Sequence, residues 1–116
     1  PSADGSRQMV PIDQYQTNLD QLMRRLKSTD AKLIWCSTTP VPPGARGRVA
    51  GDAARYNQVA NQLANAHAIE INDLHPFAAA RLADIQQAAN VHFTPDGSRE
   101  LAKQVAAKIG AALADR

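Results

Sequence analysis

The feature that most constrains the fold is the alternation of amphipathic helical segments with short apolar runs. From Pro11 to Leu26, apolar side chains recur every three or four residues, which predicts a first helix. The run Ala31–Cys36 has the length and aliphatic character of a buried parallel strand. A second helix, capped by Asp52, and a weaker second strand at Ala68–Ile71 continue the pattern.

The second half of the chain is predicted to be helical around one loop. A third helix is expected from Pro76 to about Gln87, and a last helix from Pro95 to near Ala114, with Thr94 as its N-cap. The order helix, strand, helix, strand, helix, helix is typical of an α/β fold with parallel strands and right-handed crossovers. We therefore expect residues 1–116 to form one such domain.

Composition excludes several classes of protein. Hydrophobic residues make up 44% of the chain, which indicates a globular protein. Only 4% of residues are aromatic, the net charge is +2, and Arg24-Arg25 is the longest basic run, so nucleic-acid binding is not expected. No stretch approaches the ~20 apolar residues of a membrane span. No targeting signal is visible, and a mature secreted protein would look the same.

His92 is the side chain that most suggests chemistry. It lies on a short loop directly before the strong helix start at Thr94 and Pro95, and histidine is well suited to passing protons near neutral pH. Parallel strands bring the residues at their carboxyl ends together, and we expect the His92 loop to return to that edge. The residues at the edge are Ser37, Thr38 and Thr39 after the first strand, and Asn72 and Asp73 after the second. The alternative is a histidine that merely supports the helix start.

The remaining candidates are weaker. Cys36 is the only cysteine, so no disulfide forms within the chain, and a cysteine in a strand is usually buried and inert. With His67 and His75 it lacks the spacing of a metal site, so no metal is expected. The loop over residues 37–51 is long, and its two arginines, Arg46 and Arg48, either interact with solvent or bind an anionic ligand.

Four segments resemble the SGNH hydrolases, also called GDSL-type esterases and lipases. The pattern Val91-His92-Phe93-Thr94-x-x-Gly97-x-x-x-Leu101-Ala102 resembles the last conserved block of that family. Three further segments agree in order: Tyr15-x-x-Asn18-Leu19, then Lys32-Leu33-Ile34-Trp35 followed by Thr38-Thr39-Pro40-Val41-Pro42, then Ile71-Asn72-Asp73-Leu74. The resemblance covers nearly the whole chain from about residue 10 onward.

The resemblance implies a partial flavodoxin-like three-layer sandwich and an enzyme without a cofactor, from a family whose members are often secreted. It assigns His92 as the general base. The family's serine nucleophile and oxyanion groups belong to earlier blocks without a counterpart here, so the chain resembles the C-terminal half of such an enzyme. The family's aspartate falls at Ala89, which leaves Asn90 and Asp73 as orienting candidates, and Asp84 and Asp96 also stay open. Ser37 is the candidate substitute nucleophile.

Two functions follow from this reading. The first is an ester hydrolase that acts on a small acyl or acetyl ester, with its nucleophile block absent from this chain. The second is a non-catalytic C-terminal fragment or interaction module. Because an unpaired apolar strand is a template for another chain, we expect either self-association into a homo-oligomer or binding of a polypeptide that supplies the N-terminal half.

Overall fold

The computed structural model describes residues 8–115 and confirms the predicted α/β order. The elements in chain order are α1 (Ile12–Lys27), β1 (Ile34–Cys36), α2 (Asp52–Ala66), β2 (Glu70–Asn72), α3 (Leu74–Ala79), α4 (Leu82–Ile85) and α5 (Pro95–Ala114). Across the described residues, no helix is long and apolar enough to cross a membrane.

The two strands form a parallel pair between two helical layers. Trp35 of β1 lies opposite Ile71 of β2, and these side chains pack against the core that α1 and α2 form. That core is aliphatic, and its buried members are Leu19, Met23, Ala60, Ala64 and Ile69. On the opposite face of the sheet, Lys108 of α5 reaches Glu70 at 3.5 Å. The arrangement is therefore a partial three-layer sandwich with a short sheet.

Both strands are shorter or later than the sequence predicted. Pairing begins only at Ile34, opposite Glu70, so Ala31–Leu33 lies outside β1 because β2 offers no partner residues there. Ala68 adopts a left-handed backbone with φ of 54°, and the following N–H of Ile69 bonds back to the carbonyl of Ala64. These contacts terminate α2, so Ala68 belongs to a helix end rather than to the strand.

The predicted helix from Pro76 to Gln87 is wrong, because the chain forms two short helices there. Arg81 has φ of −122°, and its N–H bonds three residues back to Ala78, which interrupts the helical repeat. The cap of α2 is also corrected. Asp52 is the first helical residue, and the N-cap is Gly51, whose φ of 88° suits a residue without a side chain.

The start of α5 confirms the predicted cap. The Thr94 hydroxyl accepts a hydrogen bond from the N–H of Gly97 at 3.0 Å, and Pro95 begins the helix. A Cβ at Gly97 would lie 2.1 Å from the carbonyl oxygen of Ile85, so only glycine allows this close approach to α4. The expected burial of Cys36 is wrong: the residue is exposed, because it ends β1, which within the described residues is paired on one side only.

Candidate functional site

Ser37 and Asp73 meet at the carboxyl edge of the sheet, as the parallel strands predict. The Ser37 hydroxyl donates to a carboxylate oxygen of Asp73 at 2.6 Å and accepts from the backbone N–H of His75 at 3.0 Å. Ser37 is only 3% exposed. A hydroxyl that is buried and already both donates and accepts is typical of a structural link between strand ends.

A buried asparagine holds the chain where it leaves β1. The side chain of Asn57 in α2 accepts from the N–H of Thr38 at 2.8 Å and donates to the carbonyl of the same residue at 2.7 Å. Asn57 thus continues the backbone pairing that a further strand residue would provide. This contact fixes the beginning of the long loop over residues 38–51, and sequence analysis gave no sign of it.

The His92 loop, residues 86–94, connects α4 to α5, and its two ends lie side by side. The backbone of Gln86 pairs with Phe93 in an antiparallel bridge, and the N–H of Gln87 donates to the carbonyl of His92 at 2.9 Å. At the base of the loop, the N–H of Thr94 bonds to the carbonyl of Ile85 at 2.9 Å. These contacts set the position of the His92 backbone relative to the helices.

Gln86 is a second positioning residue that sequence analysis missed. It is only 5% exposed, and its side-chain amide donates to the carbonyl of Pro40 at 3.0 Å and to that of Val91 at 3.3 Å. The two carbonyls belong to different loops, one after β1 and one directly before His92. Gln86 therefore ties the His92 loop to the carboxyl edge of the sheet.

The imidazole of His92 faces outward. The residue is exposed, and its ring forms no hydrogen bond with residues 8–115. The Asn90 carbonyl oxygen accepts from the backbone N–H of His92 at 2.9 Å, so this candidate holds the loop backbone rather than the ring. Asp73, the other orienting candidate, bonds to Ser37. The structure thus joins Ser37 to Asp73 and leaves His92 open to a ligand or to another polypeptide.

Of the other two histidines, His67 has a structural partner for its ring, whereas His75 is held through its backbone N–H, which donates to the Ser37 hydroxyl at 3.0 Å. The ring of His67, at the end of α2, lies 2.6 Å from a carboxylate oxygen of Asp20 in α1. That hydrogen bond, with a smaller effect of Arg24, holds the pKa of Asp20 below its usual range. No group of three or more metal-ligating side chains occurs among the described residues.

Two of the clefts among the described residues border the long loop. The larger, about 620 Å³, is mainly apolar and lies between residues 8–10, the long loop and α2. The smaller, about 360 Å³, lies between the long loop and the His92 loop, and its lining is Gly44, Ala45, Arg46, Arg48, Ala89, Asn90 and Val91. The second cleft adjoins His92 in the chain and has two arginines in its wall.

Comparison with known proteins identifies relatives of this fold. The model of the GDSL-like Lipase/Acylhydrolase family matches residues 4–100, which include the His92 loop. A solved structure, described as an acetyl xylan esterase named AlAXEase, superposes with a TM-score of 0.74 at 16% sequence identity. The match covers 92% of this chain and 59% of that esterase, so the chain spans little more than half of its length. No curated protein sequence matches the chain.

Proposed function

Because this chain belongs to the GDSL-like lipase/acylhydrolase family, we propose that it is the C-terminal part of an ester hydrolase acting on small acyl or acetyl esters. The observation that carries the proposal is His92, an exposed imidazole on a loop with a fixed backbone, within the region that matches the family. The acetyl group is favoured because the structural neighbour is an acetyl xylan esterase.

In the proposed reaction, the serine nucleophile belongs to polypeptide outside this chain. The serine oxygen attacks the ester carbonyl carbon while its proton passes to the imidazole of His92. The imidazolium then gives that proton to the leaving alcohol as the carbon–oxygen bond breaks. A water molecule then attacks the acyl carbon while its proton passes to His92. The imidazolium returns that proton to the serine oxygen as the bond between the acyl group and the serine breaks. An outward-facing imidazole without a hydrogen-bond partner among residues 8–115 is free to make these transfers.

The uncovered apolar surface supports the proposal that another polypeptide completes the enzyme. Leu22 and Leu26 of α1 are 56% and 49% exposed, and Ile109 and Leu113 of α5 are 47% and 56% exposed. Within residues 8–115, β1 pairs with β2 on one side only, which leaves its other edge open. Exposed large apolar side chains and an open strand edge are each features that another element commonly covers.

The decisive experiment uses the chain together with the polypeptide that completes it. We would capture that partner by tagging the chain in its native host, and measure hydrolysis of p-nitrophenyl acetate by the isolated assembly. His92→Ala should reduce the rate by about 10⁴-fold, since the serine loses its base. His75→Ala is the matched control, because it removes another imidazole at the same edge of the sheet. Equal rates for the two variants would contradict the proposal.

The exposed leucines and isoleucine also favour the second function, a non-catalytic module that associates through this surface. The two functions differ in the assembly that they require. A module forms homo-oligomers of this chain without a hydrolytic serine, whereas the hydrolase contains a second polypeptide with a Gly-Asp-Ser block. Light scattering and mass spectrometry of the captured assembly distinguish them. A compact monomer at micromolar concentration would contradict both forms of association.

A further inference from the structure

We propose that the cleft between the long loop and the His92 loop binds a carboxylate carried by the substrate. The cleft has a volume of about 360 Å³, and Arg46 and Arg48 line one wall while Ala89, Asn90 and Val91 line the other. The substrate class is therefore an ester that bears a negative charge close to the bond that is hydrolysed. This inference rests on the proposed hydrolase function and adds to it the charge of the substrate.

The walls of the cleft are held in place before any ligand binds. A Cβ built on Gly44 would lie 3.3 Å from the Cβ of Ala89, so the two loops are nearly in van der Waals contact at that point. Gln86 joins the same two loops through its hydrogen bonds to Pro40 and Val91. A site whose walls are already in place loses less conformational entropy on binding.

The cleft contains hydrogen-bond donors that the described residues leave free to bind a ligand. Within residues 8–115, neither Arg46 nor Arg48 forms an ion pair, and the only hydrogen bond from the Arg48 guanidinium goes to the carbonyl of Gly47 at 3.3 Å. The side-chain oxygen of Asn90 accepts from the His92 backbone, which leaves its amide nitrogen as a third donor. None of the lining residues is acidic. Guanidinium groups bind carboxylates through paired, charge-assisted hydrogen bonds.

The position of the cleft gives the bound charge a role in the reaction. Val91 forms part of the wall and directly precedes His92 in the chain, and the proposal is that an ester attached to a carboxylate held in the cleft extends from this wall toward the imidazole. Two isolated arginines on a convex surface would attract an anion only weakly. Here they share a concave site with a polar amide, which makes orientation of a substrate possible.

The test measures binding first, because binding does not require the nucleophile. The ¹⁵N-labelled chain is titrated with monomethyl succinate, which carries its charge on the acyl side, and with O-acetylglycolate, which carries it on the alcohol side. Their neutral methyl esters are the reference ligands. We expect saturable shifts in the amides of residues 44–48 and 89–92 for at least one anion and none for the neutral esters. The anion that binds more tightly identifies the side of the ester that carries the charge.

Charge-matched variants separate a built site from general attraction. Arg46→Gln/Arg48→Gln should weaken binding of the anion by about tenfold or more, while Arg25→Gln/Arg99→Gln removes the same charge elsewhere and should leave it unchanged. Equal weakening in both variants, absence of saturation, or equal binding of the neutral esters would overturn the carboxylate site.

A parallel assay of the completed assembly keeps the two proposals apart. We expect the arginine double variant to raise the KM for the anionic ester and to leave the KM for p-nitrophenyl acetate unchanged. Hydrolysis that persists without anion binding would overturn the carboxylate site alone. Anion binding that persists without hydrolysis would overturn the hydrolase proposal alone.

Discussion

Two polar regions at the same edge of the sheet differ in how far this chain satisfies them. At the strand ends, the Ser37 hydroxyl is buried and bonded to both Asp73 and the backbone of His75. On the neighbouring loop, the backbone of His92 is equally well fixed, but its imidazole is exposed. The first region is a structural joint, in which the Ser37 hydroxyl has both a donor and an acceptor. The second region leaves the His92 imidazole available to a ligand or to another polypeptide. The comparison teaches that a close polar pair can be purely structural, because its groups already have partners, whereas a side chain without a partner on a fixed backbone is still available to bind.

The largest expected difference between the two regions is in catalysis. In the completed assembly, His92→Ala should lower the rate of p-nitrophenyl acetate hydrolysis by about 10⁴-fold, because it removes the proposed general base. Ser37→Ala should leave the rate within about threefold of the wild type, because a structural hydroxyl affects chemistry only through the fold. A loss in Ser37→Ala as large as that in His92→Ala would assign the chemistry to both regions.

The largest expected effect on stability comes from the residue that connects the regions. Gln86→Ala removes two hydrogen bonds, one to the buried carbonyl of Pro40 and one to the half-buried carbonyl of Val91, and leaves a cavity, so we expect a loss of about 2–3 kcal/mol in the free energy of unfolding. Urea denaturation followed by circular dichroism measures it. Gln87→Ala is the control, because Gln87 is exposed and its side chain makes one hydrogen bond, to Phe93. It should change the free energy by less than about 0.5 kcal/mol.

A smaller loss of stability is expected at the joint itself. Ser37→Ala removes the hydrogen bond to the Asp73 carboxylate and leaves the N–H of His75 without an acceptor, so the free energy of unfolding should fall by about 1–2 kcal/mol. Ser98→Ala is the matched control, since Ser98 is exposed on the first turn of α5. A Ser37 variant as stable as the Ser98 variant would show that the joint does not stabilise the fold.

On the loop, the expected change is an increase in stability. Ala89 has φ of 51°, a left-handed conformation that disfavours a Cβ, so Ala89→Gly should raise the free energy of unfolding by up to about 1 kcal/mol. Ala88→Gly, at the neighbouring exposed position with no positive φ, should give no gain. A loss of stability in Ala89→Gly would contradict the strain argument.

The smallest expected effect on stability comes from Asp20, which lies outside both regions, and it depends on pH. The hydrogen bond from His67, assisted by Arg24, lowers the pKa of Asp20 in the folded state. A carboxylate with a lowered pKa stabilises the fold above its ordinary pKa, and this contribution is lost as the pH falls through the lowered value. Asp20→Asn should therefore be less stable than the wild type at pH 7, and the difference should shrink at about pH 3. If the urea midpoints of the wild type and the variant differed by the same amount at both pH values, the lowered pKa of Asp20 would not be the source of the stability.

The sequence predicted the long elements and failed where distant residues decide the structure. Helical periodicity and the Thr94–Pro95 cap were enough to place α1 and α5. The bounds of β1 depend on how many residues of β2 pair with it, which no local pattern contains. The break at Arg81 has neither glycine nor proline to mark it. Gln86 reads as a surface residue until two loops from opposite halves of the chain meet around it.

The candidate site was likewise predictable where a general rule of the fold applies and unpredictable where distant residues decide the structure. Ser37 and Asp73 could be placed at the same edge from sequence, because parallel strands must bring their carboxyl ends together, but the hydrogen bond between them could not. The exposure of the His92 ring and the arginine-lined cleft could not be predicted, because both depend on how two loops pack. The resemblance to the family supplied the proposed role of His92, while the structure supplied its position and its surroundings.

The most direct test of the central claim is to label the completed assembly with a fluorophosphonate and locate the modified residue by mass spectrometry. The label should be on a serine of the polypeptide that completes the enzyme, and labelling should slow sharply in the His92→Ala variant. A label on Ser37, or labelling of the partner serine at the same rate in the variant, would contradict the assignment of His92 as the general base.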